Sequence, residues 1–234
     1  MMIVFAGTKD GRDHVKKLID DDEKVIVCTA TSYGASLYPE HENIIKKYHH
    51  PMDIDEMKRI IEQHKPEKIV DATHPYALNV SENIKNAAKS QSVEVERLDR
   101  ESLLYKYKSD VVAVESYGEA VKHLEMINGN ILLTIGSRNL EFFKEVDNKE
   151  KLFLRVLPMK EVIEKCENLG FLPNRILALQ GPFSQKMNEV IYDDYDIECL
   201  VTKDSGKTGG MEEKIIPALE KDITVIIIKR KDDK

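Results

Sequence analysis

Short apolar runs alternate with amphipathic stretches along almost the whole chain, and this alternation restricts the fold more than any other feature. Residues 2–6, 24–28, 68–71, 93–97, 111–114, 131–135, 152–156, 176–179, 198–202 and 224–229 read as strands. Helical spacing of apolar residues fills 12–19, 54–63, 78–89, 117–127, 140–145, 160–169, 185–192 and 212–219. Strands of about five residues that alternate with helices select βαβ units, hence parallel sheets with helices packed on both faces. The stretch 99–109 is charged and irregular, and a fresh alternating series begins after it. The expected fold is therefore α/β, with two Rossmann-like, doubly wound parallel-sheet domains at 1–100 and 101–234. A cleft between two such domains is a preferred ligand site.

Composition excludes several classes of function. No apolar run is long enough to span a bilayer. The apolar start Met1-Met2-Ile3-Val4-Phe5-Ala6 is too short for a signal peptide and reads as the first strand. A formal net charge of −7 over 234 residues argues against a general nucleic-acid binder. Cys28, Cys166 and Cys199 are widely spaced and form no zinc-like cluster, so no metal site is expected. Three reduced thiols suit a cytoplasmic protein.

The chemistry gathers where strands end, the edge at which open α/β sheets bind ligands. Asp71-Ala72-Thr73-His74-Pro75-Tyr76-Ala77 places an acid, a hydroxyl, an imidazole and a phenol together after one strand. Pro75 disfavours a helix running through His74. Asp71 and Thr73 either grip a ligand or cap the following helix. Gly7-Thr8-Lys9-Asp10-Gly11-Arg12 leaves the first strand and opens a helix, an arrangement that favours an anion. It is not a complete G-x-G-x-x-G fingerprint. The second strand ends at Cys28-Thr29-Ala30-Thr31-Ser32, without the acid that would repel a 2′-phosphate. Three more polar loops follow in the second half: Thr134-Ile135-Gly136-Ser137, Gln180-Gly181-Pro182-Phe183-Ser184 and Thr202-Lys203-Asp204-Ser205-Gly206. Each is equally an ordinary turn by itself, but so many in one chain point to a large binding surface.

Taken together, these segments resemble the precorrin-6A reductase family, the corrin-ring reductases of cobalamin biosynthesis. Asp71-Ala72-Thr73-His74-Pro75 and Thr202-Lys203-Asp204-Ser205-Gly206 are the more specific matches, and the resemblance runs in order over nearly the whole chain. One departure is Arg230-Lys231, where many relatives finish the last strand with Arg-Pro. The resemblance implies an oxidoreductase that uses a reduced nicotinamide cofactor, NADPH or NADH. Its substrate would be precorrin-6A or cobalt-precorrin-6A, and its product the corresponding precorrin-6B.

On this reading Gly7, Thr8, Gly11, Arg12, Thr31, Ser32 and Thr73 are the candidate cofactor-binding residues. Asp71, Thr134, Gly136, Ser137, Gln180, Gly181, Thr202, Lys203, Asp204, Ser205 and Gly206 are the candidate substrate-binding residues. Arg12, Arg138 and Lys203 are cations suited to carboxylates or phosphates. His74 and Tyr76 are the candidate proton donors. The rival readings are another NAD(P)-dependent reductase or epimerase, and a non-catalytic two-lobed metabolite binder.

Overall fold

The computed structural model describes residues 1–74, 76–98, 102–206 and 209–230. The expectations for Pro75 and for Lys231 lie outside the described residues. The chain divides into two compact units, Met1–Arg100 and Glu101–Lys234.

The first unit runs β1 (Met2–Phe5), α1 (Lys9–Asp20), β2 (Val25–Thr29), α2 (Ser32–Ser36), β3 (Ile44–His49), α3 (Ile54–His64), β4 (Lys68–Asp71), α4 (Leu78–Ser90) and β5 (Glu94–Arg97). Its strands form one parallel sheet in the order β3-β2-β1-β4-β5. The period-2 geometry of a strand sends alternate residues to opposite faces. Ile3, Phe5, Ile26 and Cys28 thus pack on α3 and α4 through Met57, Ile60, Ile61, Ile84, Ala87 and Ala88. Val4, Ala6, Val25, Val27 and Val70 meet Val15 and Leu18 of α1 on the other face. Full burial of each large aliphatic side chain contributes about 1.5–3 kcal/mol, which is why runs apolar on both faces become the central strands.

The sequence pattern misses β3. Its Ile44-Ile45-Lys46-Lys47-Tyr48-His49 is half exposed, as befits an edge strand. Lys47 reaches the Tyr38 carbonyl at 3.0 Å and Glu40 at 2.6 Å, and Lys46 lies over the Tyr48 ring. Charged residues at a sheet edge discourage pairing with another chain, so an edge strand need not be an apolar run.

The second unit begins with α5 (Leu104–Tyr107), β6 (Val112–Val114), α6 (Tyr117–Leu124) and β7 (Asn130–Leu133). Two 3₁₀ turns, Leu140–Phe143 and Lys149–Lys151, precede β8 (Leu152–Val156) and α7 (Lys160–Asn168). A third, Pro173–Arg175, leads to β9 (Ile176–Ala178), α8 (Gln185–Asp194), β10 (Ile197–Lys203), α9 (Met211–Glu220) and β11 (Thr224–Ile228). The sheet is again parallel, in the order β6-β11-β10-β7-β8-β9. One face packs on α6 and α7, the other on α8 and α9. The helix expected at 140–145 is a 3₁₀ turn. Leu140 and Phe143 are both buried and three residues apart, a spacing that a threefold helix eclipses on one face. No helix among the described residues is long and apolar enough to cross a membrane.

Both sheets are doubly wound, and each has a point where the strand order reverses. In the first unit it lies between β1 and β4, in the second between β7 and β10. Ligands of such sheets bind beyond the carboxyl ends of the strands at these switch points.

Candidate active site

The first switch point is built by the turn after β1. Gly7 has φ +136°, a backbone conformation that glycine alone adopts easily, and open space surrounds the position of a Cβ. Thr8 is the N-cap of α1. Its hydroxyl accepts from the Gly11 N–H at 3.1 Å and donates to the Ala72 carbonyl at 3.0 Å. One side chain thus starts the helix and ties it to the end of β4. The helix expected from Arg12 begins three residues earlier, so Gly11 belongs to the first turn of α1. A Cβ on Gly11 would stand 3.1 Å from Ala72 Cβ and 3.3 Å from Ala6 Cβ, so this glycine lets the helix approach the strands. The N-terminus of the 12-residue α1 thereby opens at the switch point, a fitting cradle for a dinucleotide pyrophosphate. After β2, exposed Thr31 caps α2 by accepting from Gly34 N at 2.9 Å, with exposed Ser32 beside it.

The turn after β4 is held from inside. Asp71 is 1% exposed. Its Oδ1 accepts from the Thr73 N–H at 3.0 Å and the Thr73 hydroxyl at 2.6 Å, and its Oδ2 pairs with Arg97 at 2.5 Å. Arg97 also donates to Ser81 on α4. The N-cap of α4 is Ala77, with no side-chain bond, so neither Asp71 nor Thr73 caps that helix. Direct contact of Asp71 with substrate gives way to bracing, while half-buried Thr73 joins the brace through its hydroxyl. A buried carboxylate must be paired, and the Thr73 hydroxyl proton is already engaged. The braced turn carries His74 and Tyr76, whose rings lie 5.6 Å apart. His74 Nδ1 accepts from the Tyr76 N–H at 3.2 Å, so the neutral ring carries its proton on Nε2.

The second switch point repeats the plan. Thr134 bonds Val201 through its N–H at 2.8 Å and its hydroxyl at 3.1 Å, pinning the end of β7 to β10. Gly136 follows at φ +75° with open space around it, and Ser137 is half-buried beside it. Asp204 is fully buried. It accepts from Gly206 N at 3.3 Å and from the Ser102 hydroxyl, while Arg230 Nε donates to its carbonyl at 2.9 Å. Ser205 donates to the Gly209 carbonyl at 3.2 Å. Thr202 is fully buried and accepts from Lys214 Nζ at 2.9 Å. Thr202 and Asp204 therefore also change from expected substrate contacts to internal supports, because burial leaves them no surface to offer. Burial, then the nearby Arg138 charge, lowers Lys203 to about 8.

Gln180 and Gly181 are exposed in the turn after edge strand β9. A Cβ on Gly181 would stand 3.1 Å from the Phe183 ring, so the glycine lets that ring fold back. An open cavity of about 780 Å³ is lined by Pro182–Lys186, Glu189 and Glu213. Cys28, Cys166 and Cys199 are free and buried, and burial pushes Cys28 and Cys199 up to about 12. Among the described residues no group of three or more His, Cys, Asp or Glu is placed to hold a metal.

Three cations went unnoticed in the sequence, Arg97, Arg155 and Lys214, and a fourth, Arg230, drew notice only as a departure from the family's Arg-Pro. Arg97 and Arg230 each follow their partner aspartate by 26 residues, one βαβ step, which is a usable signal. Arg155 and Lys214 carry a weaker one, a single charge inside an otherwise apolar strand or helix face.

Comparison with known proteins identifies the family. The family model for "Precorrin-6x reductase CbiJ/CobK" matches residues 1–234. The chain is 33% identical to a cobalt-precorrin-6A reductase of Methanocaldococcus jannaschii, over 98% of this chain and 90% of the relative. It is 31% identical to that of Priestia megaterium over the same shares. Among solved structures it superposes on a CobK precorrin-6A reductase with a TM-score of 0.80 at 22% identity, covering 98% of this chain and 87% of the other. That last likeness speaks for the fold; the sequence matches speak for the family. The chain belongs to the precorrin-6x reductase family, CbiJ/CobK.

Proposed function

We propose that this chain reduces one double bond of the precorrin-6A macrocycle to give precorrin-6B, with the cobalt-bound ring as preferred substrate and NADPH as donor. The full-length family match carries the reading: it makes the chain an oxidoreductase that uses a nicotinamide cofactor. The preference for the cobalt form rests on the relatives at 30% identity or more, which are cobalt-precorrin-6A reductases, whereas two precorrin-6A reductases match at 25%. The NADPH preference rests on the end of β2, where Cys28 and Thr29 stand in place of an acid. A cytoplasmic setting accords with three free, buried thiols.

The residues of the first switch point fit a dinucleotide. The α1 N-terminus at Gly7–Thr8 would hold its phosphates, and Thr31, Ser32 and Arg12 its ribose end. When bound, the reduced nicotinamide supplies the hydride. The braced Asp71 turn fixes the His74 and Tyr76 side chains, so their protons are presented from a defined place. His74 Nε2 or the Tyr76 hydroxyl delivers the proton that the ring requires. Gly136, Ser137 and Lys203 of the second switch point engage the carboxylates of the ring.

An anaerobic assay with both ring forms and both cofactors tests this reading. NADPH-dependent bleaching of the cobalt form is the expected result. A folded protein that changes neither the fluorescence of reduced nicotinamide nor either substrate would be a metabolite binder instead.

A further inference from the structure

Two buried cations of the second unit play no part in the reading above. Arg155 on β8 is 8% exposed, and Lys214 on α9 is 7% exposed. Arg155 donates one bond, to Asn188 Oδ1 at 2.7 Å, and its guanidinium lies 4.2 Å from the Phe183 ring centroid. Lys214 donates one bond, to Thr202 Oγ1. Both partners are neutral, and among the described residues no carboxylate forms an ion pair with either cation. A guanidinium has five N–H donors and an ammonium three, so protein groups take up only a small part of their capacity. Buried charges are ordinarily paired, because burial without a counter-ion is costly.

The surrounding field makes the need sharper. Burial lowers Lys214 to about 7, and the positive charges of Arg155 and Lys203 push the same way. Glu213, its neighbour on α9, opposes them only in part. Glu213 Oε2 is itself buried without a hydrogen-bond partner, so it satisfies neither cation. From α8, Tyr192 donates its hydroxyl to the Lys214 carbonyl, and its own proton is held more tightly by burial. Phe183, which covers Arg155, also lines the 780 Å³ cavity, so the guanidinium lies one aromatic ring away from open space.

We propose that Arg155 and Lys214 form a site for a carboxylate-bearing arm of the ligand, which completes their ion pairing when it binds. The planar fork of Arg155 suits a carboxylate, and Lys214 supplies a second, point-like charge. The identity of that ligand rests on the reductase reading, since its ring bears many carboxylates; the site itself does not. The carboxylate also favours the protonated form of Lys214, so binding takes up a proton near neutral pH.

The test uses the whole protein without cofactor and uroporphyrin I, an octacarboxylate tetrapyrrole, in a fluorescence titration. Arg155→Gln and Lys214→Gln keep a donor for Asn188 and Thr202 but remove the charge. Each is expected to raise Kd by about ten- to a hundred-fold, the worth of a hydrogen bond to a charged group. Arg155→Lys should recover part of the loss, and the exposed Lys144→Met should change nothing. Affinity of the wild type should fall as pH rises from 7 to 9, more steeply than in Lys214→Gln. Folded Gln variants that bind as the wild type does overturn the proposal. So do Gln variants that unfold, because the two charges would then be holding the fold together. A protein that binds uroporphyrin through these residues but never reduces cobalt-precorrin-6A keeps the site and loses the reductase reading. One that reduces it with an unchanged KM in both Gln variants loses the site alone.

Discussion

Each unit closes one strand at its switch point with the same device. An aspartate ends the strand, holds the backbone N–H two residues on, and is gripped by an arginine 26 residues later beside the end of the next strand over. The details differ. Arg97 pairs with the Asp71 carboxylate itself at 2.5 Å, whereas Arg230 bonds chiefly to the Asp204 carbonyl and stands 3.4 Å from its carboxylate. Asp71 steadies the residues that follow it, His74 and Tyr76. Asp204 steadies the strand end before it, where Lys203 lies. One local solution to a strand-end carboxylate thus serves the turn that carries His74 and Tyr76 in one unit and a cation-bearing strand end in the other.

The largest expected effect separates the two turns by chemistry. His74→Ala or Tyr76→Phe, whichever removes the proton donor, should lower kcat by ~10²–10⁴-fold with little change in KM. Lys203→Met should instead raise KM. Turnover left intact by both changes in the first turn would reduce it to a structural turn.

Next comes the strength of the braces. Arg97→Met strands a buried carboxylate and should destabilise the first unit by about 3–5 kcal/mol. Arg230→Met removes a bond to the Asp204 carbonyl and a longer contact with a carboxylate that also accepts from Ser102 and Gly206, and should cost less, about 1–2 kcal/mol, in the second. Hydrogen exchange of the β4–β5 and β10–β11 amides reads the two separately. Equal losses would erase the distinction drawn between them.

A smaller contrast lies in pH. Lys214 and Lys203 are depressed to about 7 and about 8, below the ordinary lysine value of 10.5. The unfolded chain therefore binds more protons than the folded one above pH 7, and the second unit should gain stability from pH 7 to about 8.5. In the first unit His14 and His64 are lowered, chiefly by burial. Their contribution grows only until the unfolded histidine value near 6.5 is passed. Lys214→Gln should flatten the rise in the second unit; a rise equally steep in the first would contradict this account.

The smallest effect compares helix caps. Thr8→Ala and Ser184→Ala each remove an N-cap, at about 1 kcal/mol. Only Thr8→Ala should also weaken nicotinamide binding, which calorimetry would detect.

Much of this could be read from the residues because it is local. Strand and helix periods declare themselves within ten residues, so every strand apolar on both faces was visible, and the polar turns after them stood out. β3 did not, because an edge strand half in water carries charges where a central strand carries valines. Asp71, Thr202 and Asp204 were rightly placed at strand ends but wrongly aimed, since a sequence shows that a polar side chain ends a strand and not which way it turns.

Residue order alone thus determined the parallel α/β class, the position of each polar turn and, through its motifs, the family. Tertiary structure decided the rest, because strand neighbours are chosen by crossovers and not by adjacency in the chain. The order β3-β2-β1-β4-β5 sets Thr8 against Ala72 and Asp71 beside Arg97. The order β6-β11-β10-β7-β8-β9 and the packing of α8 and α9 bring Arg155, Thr202 and Lys214 into one buried region. Charge at such a distance in sequence acquires its meaning only from burial, which removes the water that would otherwise screen it.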